Sequence, residues 1–208
     1  MTVKVVSPVF GTSYNIGWIG FTRTYKSIMG DAIAYGERSE LEASFPEVNH
    51  ALVVIGAGEC CQAHSGSGVA IGQLSEYLDD PNSRVYFRQP LGWTPELGAA
   101  IADAALSKQG SRYDDLLIAE NALADTLIGT AANKVFHDWP HDKLAALVAK
   151  MTPGEFICSF LAAYALASMP CFAGWPLFAK PLASIDPLVL MEFGPFEDFI
   201  NAAIPVTP

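Results

Sequence analysis

The sequence predicts an α+β protein in which a small antiparallel sheet packs on helices. Three observations predict it. Ala51 to Ile55 is a continuous apolar run containing Val53, Val54 and Ile55, followed by the turn signal Gly56-Ala57-Gly58 and a second extended stretch, Glu59 to His64, so the two stretches read as a hairpin. Val85-Tyr86-Phe87-Arg88 is a further strand candidate. Beyond residue 94 the punctuation is helical. The 208 residues are 51% hydrophobic and 16% charged, which suffices for one packed domain and excludes disorder as the main state.

Along the chain, residues 1–29 are mixed, aromatic and glycine-containing, and are expected to form an N-terminal extension or edge element. Gly30-Asp31 introduces a short strand, Ala32-Ile33-Ala34-Tyr35, and Gly66-Ser67-Gly68 closes the hairpin. Thr94-Pro95-Glu96 is a helix start, with a hydroxyl cap and proline at the first helical position. Leu97, Ile101 and Ala105 follow at a spacing of four, and Gly110 is the stop. Asp114 to Leu127 and Asp142 to Met151 are the next two helices, the first with Asp114 and Asp115 at its positive end and the second ended by Thr152-Pro153. Phe156 to Met169 is the most apolar helix. The remainder, with its Pro and Asp-Pro punctuation, predicts one short helix near 196–200. The expected organisation is an extension over 1–29, a main domain over 30–180 and a tail over 181–208 that packs on it.

With 12 basic against 22 acidic side chains, the net charge of −10 and a pI near 4.7 argue against non-specific nucleic-acid binding and against docking on anionic lipid through a basic patch. The start of the chain, Met1 to Pro8, carries one lysine and a short apolar stretch broken by Pro8. It is not expected to be a secretory signal, so the expected location is the cytoplasm, with delivery by another system left open. Thr2 is not a myristoylation glycine, and no cysteine lies near Pro208 for prenylation. Phe156 to Ala179 is an uncharged run, yet Pro170, Gly174 and Pro176 interrupt it. Its unbroken 14 residues would make a helix of about 21 Å, short of the roughly 30 Å of a hydrocarbon core. A buried helix and no stable membrane insertion are expected.

The four cysteines are Cys60, Cys61, Cys158 and Cys171. Two are adjacent and none form a C-x-x-C pair, which suits reduced, mostly buried thiols better than a disulfide framework or a zinc site. Cys158 stands apart. Pro153-Gly154 breaks the preceding helix, so Cys158 falls in or near the first turn of the apolar one. Unpaired N–H groups and the helix dipole there favour a thiolate, and the same groups would hold an oxyanion. His50 directly precedes the run Ala51–Ile55. With the turn centred near Ala57, the residue opposite His50 lies between 62 and 64, so Gln62 and His64 are both candidates to share its face and orient its ring.

This order of a histidine, a polar residue one hairpin later and a cysteine opening a late apolar helix resembles the circularly permuted papain-like hydrolases. These are relatives of the NlpC-type cell-wall peptidases and of lecithin–retinol acyltransferase, and the resemblance is nearest to the YiiX/YaeF-like amidase group. Gly30-Asp31-Ala32-Ile33 looks like the opening strand of that family, Asn49 to Val54 like its histidine strand, and Gln62-Ala63 like its Glu-Ala or His-Ala position. Gly110-Ser111-Arg112-Tyr113-Asp114 looks like its "Gly-x-x-Tyr-Asp" turn, and Ile157-Cys158-Ser159 like its nucleophile helix. The similarity spans about residues 29–166. Two positions depart from the pattern: Phe160 stands where glutamate is frequent, and Gln62 where a charged or imidazole partner is usual. An amide can orient an imidazole without stabilising its charge.

The resemblance implies a permuted papain-like (NlpC-like) fold and a cysteine hydrolase, an amidase or peptidase. In it Cys158 attacks a carbonyl, His50 takes and returns the proton, Gln62 orients His50, and the Cys158 N–H contributes to an oxyanion site. The substrate class is a small peptide, amide or acyl compound. An acyltransferase or lipid hydrolase using the same thiol, suited by Phe156, Phe160 and Phe172, and a catalytically degenerate binding or assembly module are the alternatives. A homo-oligomer or a regulatory partner is left open. No cofactor or metal is called for: His137 and His141 have Pro140 between them and lack a third ligand, Gly66-Ser67-Gly68 is not a phosphate loop, and Asp79, Asp80 and Asn82 lack calcium-loop spacing. Cys60 and Cys61 are expected to alternate across their strand. Trp93, Trp139 and Trp175 are expected to be core or rim aromatics, and Tyr113 and Asp114 to cap and pack the helix after them.

Overall fold

The structure, a computed structural model, describes residues 2–24, 46–64, 67–111, 158–180, 182 and 185–203. The expected strand over 32–35, the helices over 114–127 and 142–151, the start of the helix at Phe156, Tyr113, Trp139, His137 and His141 lie outside the described residues.

The described residues form a mixed α+β architecture around a seven-stranded, mostly antiparallel open sheet. The strands are β1 (Thr2–Val6), β2 (Ile19–Thr24), β3 (His50–Val54), β4 (Glu59–His64), β5 (Gly68–Gln73), β6 (Ser83–Arg88) and β7 (Phe199–Ala203), in the spatial order β1-β7-β6-β2-β3-β4-β5. The pair β1–β7 is parallel and the other five pairings are antiparallel. The helical elements are α1 (Ser75–Leu78), α2 (Pro95–Leu106), α3 (158–167 in its described part), a 3-10 turn at Pro176–Ala179 and α4 (Pro187–Phe193).

Both faces of the central strands are covered, which explains why β3 is apolar from Ala51 to Val54 instead of alternating with polar residues. One face carries Phe21, Ala51, Val53, Cys61 and Ala63 against Ile101 and Ala105 of α2 and Leu161, Ala162, Ala165 and Leu166 of α3. The other face carries Leu52, Val54, Cys60, Val85 and Phe87 against Tyr14, Trp18, Leu74 and Tyr77. Cys60 and Cys61 thus lie on opposite faces, as the period of two requires. Helix α2 begins as the sequence suggests: Thr94 Oγ1 accepts from Leu97 N at 3.2 Å and Pro95 opens the first turn. Its entry lies hard against residues 16–17. Gly17 has φ +77°, a Cβ on it would overlap the Gly98 backbone, and a Cβ on Gly98 would overlap Ile16 O. Only glycines permit that approach, which Trp93 clamps by donating Nε1–H to Ile16 O at 2.9 Å.

Three features differ from the sequence reading. The sheet is larger than expected, because β1, β2, β5 and β7 join the hairpin and β6. Residues 1–29 supply both an edge strand, β1, and the central strand β2, which is buried and paired on each side. The helix expected near 196–200 is corrected: that stretch leads into β7, and the helix lies earlier, at α4. The small residues Ala202 and Ala203 fit a strand covered on both faces, and β7 gains partners on two sides, β1 and β6, which outweighs local preference. Helix α4 carries its own start signal. Asp186 accepts from Val189 N at 2.7 Å and Pro187 opens the first turn. No helix among the described residues is long and apolar enough to cross a membrane.

Candidate functional site

The β3–β4 pairing sets Val53 against Cys61 and Val54 against Cys60. Extended to the strand ends, this register puts His64 across from His50 and Gln62 on the adjacent diagonal, all on one face. The side chains meet accordingly. His50 and His64 stack with ring centroids 4.9 Å apart, and His50 Nε2 lies 3.0 Å from Gln62 Oε1. Between the two candidates to orient His50, Gln62 makes the hydrogen bond and His64 makes the ring contact.

A fourth side chain completes the arrangement. Tyr77, in α1, donates its hydroxyl to Gln62 Oε1 at 2.7 Å, and the phenol oxygen lies 3.2 Å from His64 Nε2. The Tyr77 ring also stacks on His50, with centroids 5.8 Å apart. An amide oxygen only accepts, so the two bonds to Gln62 Oε1 require His50 to carry its proton on Nε2 and leave Nδ1 as the basic nitrogen. Space for the amide comes from β5. Gly72 pairs with Cys60, and a Cβ on Gly72 would overlap Gln62 Nε2. Sequence reasoning missed Tyr77 and Gly72. Neither belongs to a motif, and each reaches the site only because β5 and α1 fold back over β4.

Cys158 is fully buried at the start of the described part of α3, with Ser159 buried beside it. The residues before it, including Phe156 and Ile157, lie outside the described residues. Burial holds the Tyr77 phenol above its usual range, and negative charge on Cys60, Glu76 and Cys158 pushes the same way. By strand alternation His50, Gln62 and His64 share a face with Leu52, Cys60 and Tyr77, whereas the described part of α3 packs on the opposite face, with Ala51 and Cys61. The other thiols of the described residues are Cys60, Cys61 and Cys171. Burial pushes Cys60 up to about 12 and Cys61 up to about 11, which makes both inert near neutral pH, and Cys171 is exposed. Phe172, a candidate neighbour for an acyl chain, is buried among core side chains. Among the described residues no group of three or more His, Cys, Asp or Glu side chains is placed to hold a metal ion.

His50 is 8% exposed, and burial lowers its pKa to about 4, with the charge of His64 adding to the effect and the Gln62 bond opposing it. His64 is lowered too, by burial, with Glu76 opposing. The ring of His50 is therefore neutral at pH 7, and folding should depend on pH. The unfolded ring takes a proton below about 6.5, whereas the folded ring does not until about 4. Stability is thus present above that window and lost as the pH falls through it. Asp186 acts in the opposite sense. Burial raises its carboxyl to about 6, so its share of stability is present at low pH and lost as the pH rises. The expected result is that His50→Gln, which keeps a donor toward Gln62, removes on the order of 3 kcal/mol of acid destabilisation. Urea denaturation of both proteins at pH 7 and pH 4.5 measures it. Identical pH dependence would show that the ring titrates normally.

Comparison of the chain with family models, with curated proteins and with solved structures finds no match. The functional reading therefore stands on the site itself.

Proposed function

We propose that this protein is a cysteine-dependent hydrolase of the amidase or peptidase type, in a permuted papain-like fold, acting by thiol acyl transfer through Cys158, His50 and Gln62. The observation that carries the reading is the 3.0 Å bond between His50 Nε2 and Gln62 Oε1, which leaves Nδ1 free to act as base on a buried histidine. A nucleophilic thiol needs an oriented acceptor of this kind.

In the proposed reaction the Cys158 sulfur attacks the substrate carbonyl as its proton passes to His50 Nδ1. The carbonyl oxygen becomes an oxyanion, to which the Cys158 N–H contributes a hydrogen bond. Collapse breaks the carbon–nitrogen bond and the leaving amine takes the proton from Nδ1, giving a thioester. Water then loses a proton to Nδ1 as it attacks the thioester, and the thiol is restored. A hydroxyl or amine acceptor in place of water would make the same chemistry an acyl transfer.

The test is treatment with an activated ester such as p-nitrophenyl acetate, with the acyl thioester located by peptide mapping. Labelling of wild type at Cys158 and none at that position in a Cys158→Ala variant of unchanged melting temperature is expected. Equal total labelling of the two proteins, or a label confined to the exposed Cys171, would refute the assignment.

A further inference from the structure

We infer that Tyr77 is a positioning residue that selects which end of the Gln62 amide faces His50, and through that choice which imidazole nitrogen is basic. The oxygen and nitrogen ends of a glutamine amide are nearly equal in shape, so packing alone does not choose between them. Turned over, the amide would donate to His50 Nε2, move the ring proton to Nδ1 and abolish the base on that side.

The bonding around Tyr77 decides the matter. Its hydroxyl touches two groups, Gln62 Oε1 at 2.7 Å and His64 Nε2 at 3.2 Å. A phenol is a strong donor and a weak acceptor, whereas an amide oxygen is a strong acceptor. The short bond therefore runs from Tyr77 to Gln62, and the longer contact is one in which His64 Nε2–H donates to the phenol oxygen. Every group then has a consistent role along the chain from His64 through Tyr77 to Gln62, with His50 donating to the same amide oxygen from the other side. Burial keeps the phenol protonated through the neutral range, so this donor persists. Gly72 keeps the room that the amide nitrogen occupies. The tautomer assignment stands on these contacts alone. Its consequence for Cys158 rests on the function proposed above.

The experiment is nitrogen-15 NMR of imidazole-labelled protein at pH 7, comparing wild type, Tyr77→Phe and His64→Phe. Phenylalanine keeps the ring that stacks on His50 and removes only the donor. Wild type is expected to show His50 as a single tautomer with Nε2 protonated. Tyr77→Phe is expected to show the second tautomer as well, with backbone amide spectra still those of a folded protein. His64→Phe, which leaves the Tyr77 donor in place, is expected to resemble wild type. An unchanged tautomer in Tyr77→Phe would overturn the inference, and so would a shift in His64→Phe equal to that in Tyr77→Phe. The acylation rate at Cys158, measured on the same proteins, separates the two readings. A tautomer shift accompanied by a roughly tenfold or greater loss of rate supports both. A tautomer shift with no change in rate upholds the positioning role and counts against the hydrolase.

Discussion

His50→Gln is expected to slow acylation of Cys158 by about a hundred- to ten-thousand-fold while the protein stays folded at pH 7. Glutamine approximates the length of the imidazole and keeps an N–H for Gln62 Oε1, so the substitution removes the base and little else. A folded-state pKa of about 4 describes a poor base toward a neutral thiol. In the proposed reaction, however, the ring and the Cys158 thiol would titrate as a pair. As the sulfur gives up its proton, the thiolate charge it acquires favours the imidazolium, and the proton affinity that burial removed from His50 is returned at the moment of transfer. Gln62 lacks a charge to supply that stabilisation, so the thiolate must. The measurement is the pre-steady-state burst of p-nitrophenol release. A burst of undiminished rate in His50→Gln would show that the thiol is activated by something other than this ring.

Phe21→Ala is expected to cost about 3–5 kcal/mol of folding stability. Phe21 is fully buried on the central strand β2, opposite Ala51 of β3 and Tyr86 of β6, with its ring edge-on to Phe196 at 6.0 Å. Its loss opens a cavity between the sheet and the side chains packed on that face, and the pairing of β2 on both sides limits how far the site can collapse. The companion variant is Val5→Ala on β1, where the side chain is 72% exposed, expected within about 0.5 kcal/mol of wild type. Urea midpoints of the two variants test the placement of β1 and β2 in the sheet. Equal, small effects would mean that the β2 segment is a dispensable extension, as its mixed composition suggests.

The candidate site is partly legible in the order of residues. A two-residue period and a turn centred near Ala57 are enough to align His50 with positions 62 to 64, because hairpin register follows from the turn that closes it. Whether Gln62 or His64 bonds the ring is not legible, since both share the face. The choice depends on side-chain reach and on Tyr77, fifteen residues beyond Gln62, which brings its hydroxyl to the amide. Nothing in Leu74-Ser75-Glu76-Tyr77 advertises such a role. The short helix there is recognisable only once β5 is known to pair with β4.

The features that residues near one another in the chain impose are settled by the order of amino acids alone. These are the β3–β4 hairpin, the β6 strand, the Thr94-Pro95 start of α2, the apolar character of α3, and the placement of Cys60 and Cys61 on opposite faces. Each depends on a turn, a cap or a periodicity spanning a few residues. The three-dimensional fold alone decides that β2 runs through the middle of the sheet, that β7 lies between β1 and β6 as a strand instead of a helix, and that Tyr77 and Gly72 close around the Gln62 amide. Those outcomes depend on hydrogen-bond partners and buried surface contributed by distant segments, and a strand's preference for its place is mostly a preference for the neighbours it finds there.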